Sequence, residues 1–294
     1  MKIRRLLPSD SIRFLFPKRG PAAFFPPLLA LLVLFLSGCA FFSGNAALVP
    51  LRYPIAEDER PGNLVVFLRG RGGSHRDFER LGFVDAVRER GLPYDMLAPN
   101  AHIGYYFAET LVSRLKTDLI EPARAEGYEN IWLVGASMGG LGATLYLKTH
   151  PEDIAGVVLI SPFLGYDEIV EEIAAAGGLA AWSPGAFDPA DDWERMLWSW
   201  LREEYAGNAE SWPPIHLGYG DADFLAGGQR LLATILPAER VMEIPGAHRP
   251  DVMKRIWLDF LDRGVLGEPD AASSSDSTEP KSAGRARENP DPVR

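Results

Sequence analysis

Ser137 stands between Gly135 and Gly139 in the stretch IWLVGASMGGLGATL, Ile131 to Leu145, where an apolar run gives way to a helical pattern. A serine hydroxyl is a weak nucleophile until a histidine takes its proton, and that histidine needs an acid to fix its tautomer. Five histidines are available: His75, His102, His150, His216 and His248. His216 lies inside the apolar stretch PIHLGYG and reads as core, while His150 precedes a proline at a helix end and reads as solvated. His248 sits in PGAHRP, on a loop between the apolar stretch RVMEI and a closing helical pattern, where a base could lean over the end of a sheet. For the acid, the stretch HLGYGDADF offers Asp221 and Asp223 just after its apolar residues.

Those residues need a strand that delivers Ser137 and a helix that leaves it. Asn130–Gly135 reads as the strand and Met138–Lys148 as the helix, so Ser137 falls on the turn between them. At such a turn the nucleophile takes a strained backbone, and the residues two positions either side must be small. The start of the helix also aims free N–H groups and its positive dipole end at this place, which suits a developing oxyanion. Competing glycine motifs fail: Gly140-Leu141-Gly142 meets Leu145 and Gly70-Arg71-Gly72 meets His75 where a third glycine is needed. No phosphate-loop pattern occurs, so nucleotide cofactors are not expected.

With Ser137, then Asp223, then His248 along the chain, each on a post-strand loop, the sequence resembles the α/β-hydrolase superfamily from about Asn63 to Asp262. The resemblance implies a serine hydrolase with these three as catalytic triad. The family's spacing of strand, glycine, two residues and acid fits Gly220 with Asp223; Gly218 with Asp221 fits too, so Asp221 remains the rival acid. The resemblance further implies an oxyanion hole made by the N–H of Met138 and one from the loop Leu68-Arg69-Gly70-Arg71, that of Arg71. Arg69 stands where many members carry histidine. His75 and His102 border the same mouth and are assigned no chemistry. No metal or other cofactor is expected, because the Asp221/Asp223 pair has no further ligands at useful spacing.

The rest of the chain reads as an α/β fold, a mostly parallel sheet with helices on both faces. Beyond Asn63–Leu68 and Asn130–Gly135, strands are expected in Pro93–Pro99, Ile154–Pro162, Pro214–Gly220 and Arg240–Gly246, with helices over 109–127 and 250–264. Between Leu164 and Pro213 the rhythm breaks, and this insertion holds five of the seven tryptophans. Two readings stand side by side: a helical cap over an apolar pocket, or helices packing aromatics onto the sheet. The hydrolase domain is expected over 63–266, after a linker at 39–62. Residues 267–294 lack Leu, Ile, Phe and Trp altogether and read as a disordered tail.

The N-terminus points to a destination. A basic stretch leads into an apolar run, Leu28–Phe42, too short to span a bilayer and broken upstream by Pro26 and Pro27. Leu36-Ser37-Gly38-Cys39 resembles the lipobox of bacterial lipoproteins, and Cys39 is the only cysteine. The resemblance implies a signal peptide over 1–38, cleavage before Cys39 and its acylation, which would hold the protein on a membrane. Ala40 is not the aspartate that retains such proteins in the inner membrane, which favours the outer one. Beyond Cys39 the chain carries 24 basic against 39 acidic residues. A body that acidic would repel a phosphate backbone, so nucleic acid is not an expected partner. The reading is an anchored hydrolase of carboxylic esters, lipid or acyl esters included. An amidase or thioesterase with the same residues, and a non-catalytic envelope binding protein, are the alternatives.

Overall fold

Leu64, Val65, Val66, Phe67 and Leu68 form an unbroken apolar run, and every one of them is fully buried. A strand turns successive side chains to opposite faces, so such a run is at home only in a sheet covered on both sides. The computed structural model of the chain describes residues 43–55 and 62–266, and shows this arrangement. Leu64, Val66 and Leu68 enter one core cluster, whereas Val65 and Phe67 enter the other. The same split recurs at Leu133 against Val134 and at Leu159 against Val158.

Seven strands make one sheet: β1 (Pro50–Tyr53), β2 (Asn63–Leu68), β3 (Asp95–Pro99), β4 (Asn130–Ala136), β5 (Gly156–Ile160), β6 (Ile215–Gly220) and β7 (Val241–Ile244). Their spatial order is β1-β3-β2-β4-β5-β6-β7. Only β1 runs antiparallel to its neighbour, pairing Pro50 with Pro99 and Tyr53 with Met96; the other pairs are parallel. β1 corrects the expected linker at 39–62, since Pro50–Tyr53 belongs to the sheet. A four-residue edge strand with Arg52 turned outward carries too little apolar pattern to be read from sequence.

One face of the sheet is covered by α1 (Phe83–Glu89) and by the long C-terminal helix Pro250–Asp262, which contributes Ile256, Trp257 and Phe260. The other face carries α2 (Leu111–Leu115), which runs on through a π turn to Ala125, and α3 (Met138–Thr149). It also carries α4 (Asp167–Ala175), α5 (Trp193–Trp200) and α6 (Ala226–Ala233); the C-terminal helix is α7. Leu111, Leu115 and Leu119, the stripe expected at four-residue spacing, are all buried there.

The insertion is helical, and its tryptophans serve packing. Trp182, Trp193, Trp198 and Trp200 are no more than 2% exposed and join the same cluster as the sheet residues. A cavity of about 570 Å³ does open between Pro189, Ala190 and Met196 of the insertion and Leu145 and Thr149 of α3, with Tyr105 in its wall. None of the expected catalytic residues lines it. Among the described residues no helix is long and apolar enough to cross a membrane. The expected signal peptide, Cys39 and the expected tail from 267 lie outside the described residues.

Candidate active site

Between the last residue of β4 and the first of α3 the chain has one residue in which to turn, and it is Ser137. Its backbone sits at φ 53°, ψ −117°, a region costly for any residue with a side chain. Crowding explains the glycines around it. A Cβ on Gly135 would lie 2.3 Å from the carbonyl oxygen of Gly139, and one on Gly139 only 1.9 Å from that of Leu68. The strain is held by three backbone hydrogen bonds. Ser137 N–H donates to Ile160 O at 3.0 Å, and its carbonyl accepts from Gly140 and Phe163, each at 2.9 Å.

The other two residues arrive from β6 and β7, beyond β5 in the sheet. Asp223 follows β6 and His248 follows β7, on a loop drawn tightly to β6: a Cβ on Gly220 would meet Gly246 O at 2.2 Å. His248 Nδ1 lies 2.8 Å and 3.0 Å from the two carboxylate oxygens of Asp223, and His248 Nε2 lies 3.0 Å from Ser137 Oγ. A carboxylate at Nδ1 fixes the proton there, which leaves Nε2 free to accept from the serine. Asp223 is 5% exposed. Burial alone would push its pKa up, but hydrogen bonds from His248 and the Leu225 N–H outweigh it and hold the carboxyl below its ordinary value. The rival, Asp221, is exposed and turns away: its Oδ1 accepts from Gly246 N–H at 2.9 Å and so fixes the loop that carries His248.

Two segments border the nucleophile. Met138 opens α3, so its N–H has no acceptor within the helix. Its carbonyl takes a 2.8 Å hydrogen bond from the buried Tyr106 hydroxyl. On the other side, a Cβ on Gly70 would lie 3.2 Å from Ser137 Cβ and 3.8 Å from Ser137 Oγ, so the loop that leads to Arg71 runs directly against the serine.

The remaining histidines fall as follows. His216 is embedded in β6 beside Trp132 and Phe260, and burial lowers its pKa to about 4. His150 lies 3.5 Å from Glu152. Asp153 sits close enough to both to suggest a metal triple, but one of its oxygens already receives Lys116 at 2.7 Å and the Tyr146 hydroxyl at 2.8 Å. His75 and His102 lie near Arg69, and burial, reinforced by neighbouring arginines, lowers both pKa values.

Three residues of the site were not legible in the sequence. Ser161, just after β5, is fully buried and takes φ 47°, and its hydroxyl lies near Asp223 without a hydrogen-bond partner among the described residues. Tyr106 braces Met138. Phe224 is 73% exposed, with its ring centroid 4.7 Å from that of His248. Only for Phe224 was there a signal, an aromatic next to a candidate acid.

Comparison with known proteins bears on the fold. Residues 112–191 match the family described as serine aminopeptidase, S33. No curated protein matches the sequence. Among solved structures, S-formylglutathione hydrolase from Staphylococcus aureus superposes with a TM-score of 0.50 at 16% identity, over 74% of this chain and 96% of that one. FphF, a fluorophosphonate-binding serine hydrolase of Staphylococcus aureus, gives 0.50 at 12% identity over 75% and 99%. Est1E from Butyrivibrio proteoclasticus gives 0.50 at 14% over 75% and 99%. The protein therefore has the α/β-hydrolase fold, and at the turn from β4 to α3 it carries the side-chain arrangement of a serine hydrolase.

Proposed function

We propose that the protein is a lipid-anchored serine hydrolase that cleaves carboxylic esters through an acyl-serine intermediate. The observation that carries this reading is the unbroken line from Ser137 Oγ to His248 Nε2 at 3.0 Å and from His248 Nδ1 to the buried Asp223 at 2.8 Å. Ser137 Oγ attacks the carbonyl carbon while His248 Nε2 takes the hydroxyl proton. The carbonyl electron pair moves onto oxygen, where the N–H groups of Met138 and Arg71 hold the negative charge. Collapse of this intermediate breaks the bond to the alcohol, which leaves with the proton from His248. Water, deprotonated by the same histidine, then attacks the acyl-serine and releases the acid. Asp223, its pKa held down, stays ionised and supports the imidazolium throughout.

The name of one structural neighbour, an S-formylglutathione hydrolase, is compatible with acyl transfer to water, there from a thioester. The family match over 112–191 favours a second reading, hydrolysis of aminoacyl amides by the same residues. Treatment with a fluorophosphonate probe and mass spectrometry tests the common ground. Label on Ser137, absent from His248→Ala, is the expected result; folded protein that takes no label overturns catalysis in favour of a binding module. Rates on p-nitrophenyl esters against aminoacyl p-nitroanilides then separate the two readings. Anchoring rests on Leu36–Cys39 and is tested apart: metabolic palmitate labels the wild type and not Cys39→Ala, and an unlabelled wild type removes the anchor.

A further inference from the structure

The sheet order sets two unlike flanks around Ser137. β2 lies on one side of β4, and β5, β6 and β7 lie on the other. On the β6–β7 flank are Asp223, His248 and the exposed ring of Phe224. His248 gives its proton to the leaving group, so the alcohol part of an ester belongs on this flank, under an apolar ring. The β2 flank is left to the acyl part, and there the chain reads Arg69-Gly70-Arg71, with Gly70 against the serine.

Both arginines lack a counter-ion among the described residues. Arg69 is half-buried, and its Nε is buried with no hydrogen-bond partner. The groups near it are Tyr106, which is committed to Met138, and Asp77, whose oxygens are engaged by Ser74 N–H and Arg80. His75 and His102 add no acid, and burial holds both towards the neutral form. Arg71 is exposed and lies within electrostatic range of Tyr166 at the base of the insertion. Several other arginines do meet carboxylates, Arg52, Arg90, Arg195 and Arg230 among them. The chain beyond Cys39 has a large excess of acids, so the want of a partner at this loop, beside the serine, is not a want of acids. A guanidinium held partly out of water without a counter-ion is unfavourable, and its planar fork of donors matches a carboxylate.

Resting on the ester-hydrolase reading above, we infer that the preferred substrate carries a carboxylate on its acyl part, a few bonds from the scissile carbonyl, and that Arg69 and Arg71 receive it. The natural substrates are then half-esters of dicarboxylic acids, or acyl groups ending in a carboxylate, joined to an apolar alcohol.

Three p-nitrophenyl-type esters test this: the mono-ester of glutaric acid, the same ester with its free carboxylate capped as the methyl ester, and a methyl glutarate ester of a carboxylate-bearing nitrophenol. The readout is the ratio of kcat/KM for each charged ester to the capped one, after subtraction of the Ser137→Ala background. The expected ratio for the first is at least about tenfold in the wild type, as one charge-assisted hydrogen bond warrants. It falls towards unity in Arg69→Gln and Arg71→Gln, mainly through KM, and shrinks with added salt. Fluorophosphonate labelling of Ser137 in both variants verifies that the nucleophile remains assembled. A wild type that cleaves the capped ester as fast as the free acid overturns the inference and leaves the ester-hydrolase reading standing. So does a ratio untouched by both substitutions, or an equal preference for charge on the alcohol. A wild type that cleaves none of the three and takes no label overturns the hydrolase reading, and this inference with it.

Discussion

Replacing Gly139 by alanine puts a methyl group where there is no room for one. Its Cβ would lie 1.9 Å from Leu68 O, 2.4 Å from Leu68 C and 2.9 Å from Arg69 O, all of them backbone atoms. Separations below 3.0 Å are not tolerated, so the first turn of α3 and the end of β2 must part by about 1 Å. The helix cannot yield easily, because Gly139 O already closes on Gly135 and Ser137 is tied to Ile160 and Phe163. The half-exposed loop Arg69–Arg71 yields instead, and it is the loop proposed to supply one side of the oxyanion site. A misplacement near 1 Å costs on the order of 100-fold in turnover. The overpacking costs about 1–3 kcal/mol of stability, which lowers Tm by roughly 2–4 °C per kcal/mol in a domain of this size. Gly207→Ala, whose Cβ meets nothing within 4 Å, is the control and leaves both quantities unchanged. Ester kinetics and thermal unfolding followed by circular dichroism read the two effects. Should Gly139→Ala fail to fold, Gly70→Ala asks the same question more gently, since its Cβ lies 3.2 Å from Ser137 Cβ. Wild-type turnover in a folded Gly139→Ala protein refutes the claim that backbone crowding fixes this glycine and positions the loop.

Ser137→Gly relieves the φ 53° strain, so its Tm rises above wild type while turnover falls at least about 10³-fold; a Tm at or below that of Ser137→Ala disproves stored strain at this turn. His216, held near pKa 4 against an ordinary 6.5, resists protonation only when folded. Its contribution is present above pH 6.5 and is lost as pH falls towards 4, by up to about 3 kcal/mol. Glu194 works in the opposite sense. Burial raises its pKa to about 7 from 4.5, so the folded state binds the proton more tightly, and stability drains as pH rises from 4.5 through 7. The two slopes oppose one another in the wild type over nearly the same window. Glu194→Gln therefore leaves urea midpoints that climb with pH between 4 and 6.5, and His216→Phe leaves midpoints that decline between 4.5 and 7. Identical slopes in the two variants would falsify both assignments.

Strands β2 to β7 could be read from the sequence because each is a short apolar run closed by glycine, proline or a charged loop. The nucleophile was legible for a related reason: its requirements are local, and Gly135 and Gly139 write them within five residues. Asp223 and His248 could be nominated because post-strand loops on one sheet edge converge, although choosing Asp223 over Asp221 required the fold. Ser161 and Tyr106 were invisible, since each lies by a group brought near only by the packing of distant segments, and Phe224 was marked only by its place beside Asp223. Two readings of the tryptophan-rich insertion stood open, and topology decides between them. β5 and β6 are parallel neighbours, so the chain between Ile160 and Ile215 must cross over a face of the sheet to return to the same end. A connection obliged to cover a sheet must bury its aromatics against it, and Trp182, Trp193, Trp198 and Trp200 are the result. What remains to shape the mouth is the base of that connection, where the Phe163 N–H binds the Ser137 carbonyl and Phe163 packs on Tyr166 at a ring separation of 5.2 Å. On the proposed reading, specificity on this side rests with Phe163, Tyr166 and the arginine loop, and the tryptophans act on it only by holding that base in place.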